Sequence, residues 1–131
     1  RRAISGSSKR ISERHWRDKM ERLITLLQEM GIPFAYDHFA EGESPAPPFL
    51  CYLLPDSGHF PADGRVYFKI EEVRIELYTD RKDPAAENRV EAVLDQHGIF
   101  YARSEVWIES EKLYEVLYSF EMEGNNDAQE E

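Results

Sequence analysis

RVYFKIEEVRIELYTDRKDPAAENRVEAVLDQHG, residues 65–98, is the stretch whose reading decides the fold. Val66, Phe68 and Ile70 alternate with polar residues, and so do Val73, Ile75 and Leu77. Alternation of this kind marks a strand with one face buried. The phase changes at Glu71-Glu72, which predicts a bulge or sharp bend there. A polar corner, Thr79 to Pro84, follows. Asp83 suits a helix N-cap, because its carboxylate can accept from the open amides of the first turn. Pro84 suits the first helical position, where the missing N–H costs nothing. Ala86, Val90, Val93, Leu94 and His97 then share one helical face, and Gly98 can take the left-handed conformation that closes the helix.

Upstream, Trp16, Met20, Leu23, Ile24, Leu27 and Met30 form an apolar stripe at helical spacing. Gly31 ends that helix and Pro33 prevents its continuation. Residues 34–40 read as a short strand and 41–48 as a loop in which three prolines remove backbone donors. Residues 49–54 are apolar throughout, as in a strand covered on both faces. A second loop spans 55–64. Downstream of Gly98, residues 99–102 and 105–108 read as extended. Tyr114, Val116, Tyr118, Phe120 and Met122 alternate like a strand, although Leu113, Val116, Leu117 and Phe120 also fit a helical face. The enrichment in Tyr, Val and Phe favours the strand. The expected order is α-β-β-β-α-β-β, an α+β fold with a mixed, mainly antiparallel sheet packed against two helices.

The chain of 131 residues, 41% apolar and 12% aromatic, can bury one core. We expect one domain over residues 12–123, a basic flexible leader over 1–11 and an acidic disordered tail over 124–131. The net charge of −10 is uneven. Residues 1–19 hold seven Lys/Arg against Glu13 and Asp18, so the remainder carries nine basic and twenty-four acidic residues. A body this acidic repels nucleic-acid phosphates over roughly 8–10 Å. No apolar run spans a bilayer. Cys51, the single cysteine, lies among apolar residues and reads as a buried, inert thiol in a reducing interior.

Chemistry-bearing patterns are sparse. His15, His38, His59 and His97 show no metal-like spacing. Asp37-His38 are neighbours, but adjacent strand residues point to opposite faces unless the chain bends. His97, at a helix end, can meet the last carbonyls or the helix dipole, and a structural role is its default reading. Ser57-Gly58-His59 forms no nucleophile elbow, and there is no phosphate-cradling glycine loop. The reading is therefore of a non-enzyme without catalytic residues, cofactor or metal. Phe60 is an aromatic in a polar loop, and with His59, Pro47 and Pro48 it is a candidate subunit-interface residue; folding back on its own core is the alternative for Phe60. Glu41, Glu43, Glu71, Glu72, Glu109 and Glu111 are candidates for a hydrated acidic surface.

Val73-Arg74-Ile75-Glu76-Leu77-Tyr78-Thr79-Asp80, followed by Lys82-Asp83-Pro84 and an Ala/Glu/Val helix, resembles the small tail-completion, or tail-terminator, proteins of long-tailed bacteriophages and Gram-positive prophages. The resemblance extends over residues 13–122. It includes the helix Trp16–Met30, Pro48-Phe49…Tyr52, Ala62-Asp63-Gly64…Tyr67 and Glu111-Lys112-Leu113-Tyr114. It rests on the order of elements more than on any one motif, and the leader departs from the pattern. It implies a structural virion protein, assembled in the bacterial host cytoplasm, forming a ring, usually sixfold, at the head-proximal end of the tail tube. Such a ring stops tube growth, contacts the major tail tube protein and the head–tail connector, and lets DNA pass its lumen without specific binding. No membrane is involved. A head–tail connector or adaptor of the same virion is one alternative. A small ligand-binding or enzymatic domain is another, and a deep pocket with a perturbed titratable group would distinguish it.

Overall fold

The computed structural model describes residues 17–55 and 70–123, and within them the chain follows the expected order. Helix α1 covers residues 17–30; strands β1 (Phe34–Tyr36), β2 (Phe49–Leu53) and β3 (Ile70–Thr79) follow. Then come helix α2 (Pro84–Gln96), strand β4 (Ala102–Ile108) and strand β5 (Leu113–Glu123). The strands make one five-stranded sheet in the order β1-β2-β3-β5-β4. Only β1 and β2 run parallel; the other neighbours are antiparallel. The fold is α+β.

Strand register fixes which residues share a face. Leu50 lies opposite Leu77, Tyr52 opposite Ile75, and Val116 opposite Leu77. These side chains, with Val73, Tyr118 and Phe120, meet Leu23, Leu26, Leu27 and Met30 of α1 and Ala86, Val90, Val93 and Leu94 of α2 in one core. Both helices therefore cover the same side of the sheet. At the centre of this core Leu23, Leu27, Ile75, Leu77, Val90 and Leu94 are all at most 1% exposed. The helix termini also hold each other. Arg89 of α2 donates to the Gly31 carbonyl, and His97 Nε2 lies 2.9 Å from Glu29 Oε1. Gly31 has φ +70°, and an added Cβ there would come within 3.1 Å of the Arg89 guanidinium.

The local signals of residues 79–98 act as expected. The Asp83 carboxylate accepts from the Ala86 amide at 3.1 Å, Pro84 opens the helix, and Gly98 takes φ +69°. β2 is covered on both faces, with Phe49 and Cys51 buried opposite the helix side. The closing segment is a strand.

Three local expectations are corrected. β3 pairs with β5 without interruption from Ile70↔Glu123 to Thr79↔Tyr114. Each β3 residue has one partner, so Glu71-Glu72 holds no bulge, which would need two residues facing one. β1 stops at Tyr36 because Asp37 adopts φ 66°, a left-handed turn. That turn brings Asp37 and His38 together, with Oδ2 and Nδ1 3.0 Å apart, where a straight strand would have separated them. Finally, Ala102–Ile108 is one continuous strand where the sequence suggested two short extended pieces. His97 is the C-cap of α2, its backbone amide donating to the Val93 carbonyl while its ring lies beside Glu29.

Candidate functional site

The chemical groups of the described residues collect in three places: under the β4 side of α2, on the sheet face away from the helices, and at the end of β5.

The first is a charged cluster. β4 places Arg103 and Glu105 on the helix side of the sheet, opposite Tyr118 and Val116. Arg103 reaches Glu87 Oε1 at 2.6 Å, Glu91 Oε2 at 3.1 Å and Glu105 Oε1 at 3.0 Å. Lys82, in the corner before α2, lies 2.9 Å from Glu105 Oε1 and 2.9 Å from Glu87 Oε2. Tyr118 donates to Glu91 at 2.7 Å, and Tyr114 to Glu105 at 2.9 Å. Glu87 is a buried carboxylate, and two cations compensate it as such a charge requires. The Lys82 ammonium, then the Tyr114 hydroxyl, hold the Glu105 carboxyl down at about 2. These contacts fasten α2 to the sheet edge, with Glu87 Oε2 held by the Lys82 charge alone and without a hydrogen bond.

On the opposite face, Tyr78 stacks on Phe49 with ring centroids 5.3 Å apart, and Phe39 meets Phe49 edge-on at 5.5 Å. The Tyr78 hydroxyl donates to Glu76 at 2.9 Å and lies 3.5 Å from Glu115 Oε2. Burial, and then the Glu76 charge, raise the Glu115 carboxyl above the ordinary carboxylate value. Burial and the nearby Glu76, Asp37 and Glu115 charges push the Cys51 thiol up to about 11. A thiol held up there is neutral at pH 7 and a poor nucleophile, in line with the expected inert cysteine.

The third place is an open groove of about 730 Å³ lined by Glu72, Gly98, Ile99, Phe100, Ser119, Phe120 and Glu121. It lies where β5 runs past the start of β4. Glu72 and Glu121 face each other across β3 and β5, and Arg74 pairs with Glu72 at 3.1 Å. Among the described residues no three His, Cys, Asp or Glu side chains gather as a metal site would need. No helix among them is long and apolar enough to cross a membrane.

The residues singled out from sequence are scattered over this framework. Pro47 and Pro48 are half-buried just before β2, while His59 and Phe60 lie outside the described residues. Glu41 and Glu43 are exposed in the loop that joins β1 to β2. Glu72 is half-buried and paired with Arg74. Glu109 and Glu111 occupy the turn joining β4 to β5, where Glu109 binds Lys112 and accepts from Trp107 Nε1 at 2.8 Å. Glu71 sits within β3, opposite Met122, and not in a turn. Sequence reasoning missed Arg103, Glu105, Glu87 and Lys82. Comparison with protein-family models, with curated proteins and with solved structures finds no match to this chain.

Proposed function

We propose that this chain is a structural virion protein, a tail-terminator subunit that closes a ring at the head-proximal end of a phage tail tube and joins it to the head connector. The observation that carries the reading is the element order. The resemblance to tail-completion proteins lies in the succession α-β-β-β-α-β-β, and the described chain folds in that succession. One further feature suits the role. The excess of acids gives a ring a negative lumen that keeps passing DNA from sticking. In this reading the charged cluster and the Tyr78 cluster hold the subunit together and perform no reaction.

The test is imaging of tails or virions that contain the chain. The expected result is a closed ring, sixfold in the simplest case, at the head–tail junction. A map with one copy of the chain per particle, or with the chain elsewhere in the particle, overturns the proposal.

A further inference from the structure

Among the described residues β4 is the outermost strand of the sheet, and it is exposed along nearly its whole length. Natural edges are usually blunted by proline, a bulge, edge lysines or inward-pointing charges, and of these the described strand has only the last. Here Ala102–Ile108 has no proline and pairs with β5 without a bulge. Its charged residues, Arg103 and Glu105, are drawn inward to Glu87, Glu91 and Lys82. Apolar side chains remain exposed beside the open backbone: Phe100 is 95% exposed, Val106 52% and Trp107 42%.

The sequence Phe100-Tyr101-Ala102-Arg103-Ser104-Glu105-Val106-Trp107-Ile108 is also chemically palindromic about Ser104. Two copies set antiparallel with a two-fold axis through Ser104 bring opposite residues onto the same face, as antiparallel pairing demands. Arg103 then faces Glu105 of the second copy, and the reciprocal pair forms beside it. Ala102 faces Val106, Tyr101 faces Trp107, and the exposed Phe100 faces Ile108. Opposite charges, aromatic pairs and apolar pairs are the cross-strand combinations that stabilise a sheet. Other symmetric registers lose this match: centring on Glu105 sets the glutamates against each other, and centring on Arg103 does the same to the arginines.

We infer that the β4 edge is a homotypic docking surface, at which a second copy of this chain adds its own β4 antiparallel about Ser104 to make a continuous ten-stranded sheet. A two-fold contact closes after two copies. It is therefore distinct from the head-to-tail contact of a ring and stands independently of the virion reading.

The test uses the full chain. Light scattering after gel filtration should show a concentration-dependent dimer. Ser104→Cys places two thiols opposite each other at Cα separations that a disulfide spans, so mild oxidation should link the dimer rapidly. Val106→Cys displaces the thiols along the strands and should not link, whereas Val106→Cys combined with Ala102→Cys should. Arg103→Glu sets like charges together at both symmetric positions and should weaken the dimer about tenfold, with recovery when Glu105→Arg is added. The cysteine variants keep the charged cluster intact and therefore test the contact even where a charge reversal disturbs α2. A chain that stays monomeric, a dimer in which Ser104→Cys fails to link, or equal linking by Val106→Cys alone overturns the inference.

Discussion

β3 and β4 are strands of the same sheet, yet they are held in place by different physics. β3 lies at the centre, and Val73, Ile75 and Leu77 are within 1% of complete burial between β2, β5 and both helices. Its stability comes from apolar area removed from water. β4 lies at the edge and contributes no side chain to the buried core. Its inward side chains, Arg103 and Glu105, are tied by ion pairs to α2 and the corner before it. One strand is anchored by packing and the other by charge, so the two should respond to different insults.

The largest contrast is expected from truncation. Leu77→Ala leaves a cavity in a core with no exposed wall and should cost ~2–5 kcal/mol in denaturant unfolding. Val106→Ala removes atoms that are half in water and should cost less than about 1 kcal/mol in the monomer. Equal losses would mean that the edge is as much a part of the core as the centre, and the comparison would fail. A smaller effect is expected at the joint between the two strands. Asp83→Ala removes the carboxylate that accepts from the Ala86 amide, and should cost ~1 kcal/mol by freeing the first turn of α2. That turn carries Glu87, so Arg103 and Lys82 lose an ordered partner, and β4 amides should exchange faster relative to β3 amides. A uniform change across both strands would show that the cap acts on the whole domain and not on the edge.

The same difference explains what the sequence could reveal. β3 was legible because its inner face is apolar and its outer face is not, so burial is written as a period of two. α2 was legible because Asp83, Pro84 and Gly98 are signals that act within a few residues. β4 was legible only in part, as two extended pieces, because its inner face carries Arg103 and Glu105, and a charged inner face leaves no apolar alternation to count. What makes Arg103 an inward residue is Glu87, sixteen positions earlier on another element, and no local window contains both. For Asp37-His38 the sequence could state only the condition, a bend, and not its presence: a left-handed residue in the middle of the predicted strand redirected two side chains that strand geometry would have parted. The Tyr78 cluster joins β3 to β5 across thirty-seven positions, and only the register brings Glu115 to it.

The smallest effect, and the one that separates packing from charge most cleanly, is the response to acid. The Glu105 carboxyl is lowered from 4.5 to about 2 by Lys82 first and Tyr114 next. A depressed carboxyl contributes stability that is fully present above the unfolded value and is lost as pH falls through the folded one. The grip on β4 should therefore loosen between about pH 4.5 and pH 2, while β3 has no such dependence in its apolar contacts. Trp107, on β4 beside Tyr114, reports the change by fluorescence once Trp16 is replaced by Phe. Glu105→Gln should flatten the acid transition at Trp107. Glu115 provides the opposite sign on the other face. Its folded value is raised by burial and by Glu76, so its ionised form is the strained one, and stability from this group rises as pH falls through that value. Glu115→Gln should therefore raise thermal stability slightly at neutral pH and leave the Trp107 acid transition in place. If Glu115→Gln instead abolished that transition while Glu105→Gln did not, β4 would be held from the open face of the sheet, and its anchoring by the α2 cluster would have to be abandoned.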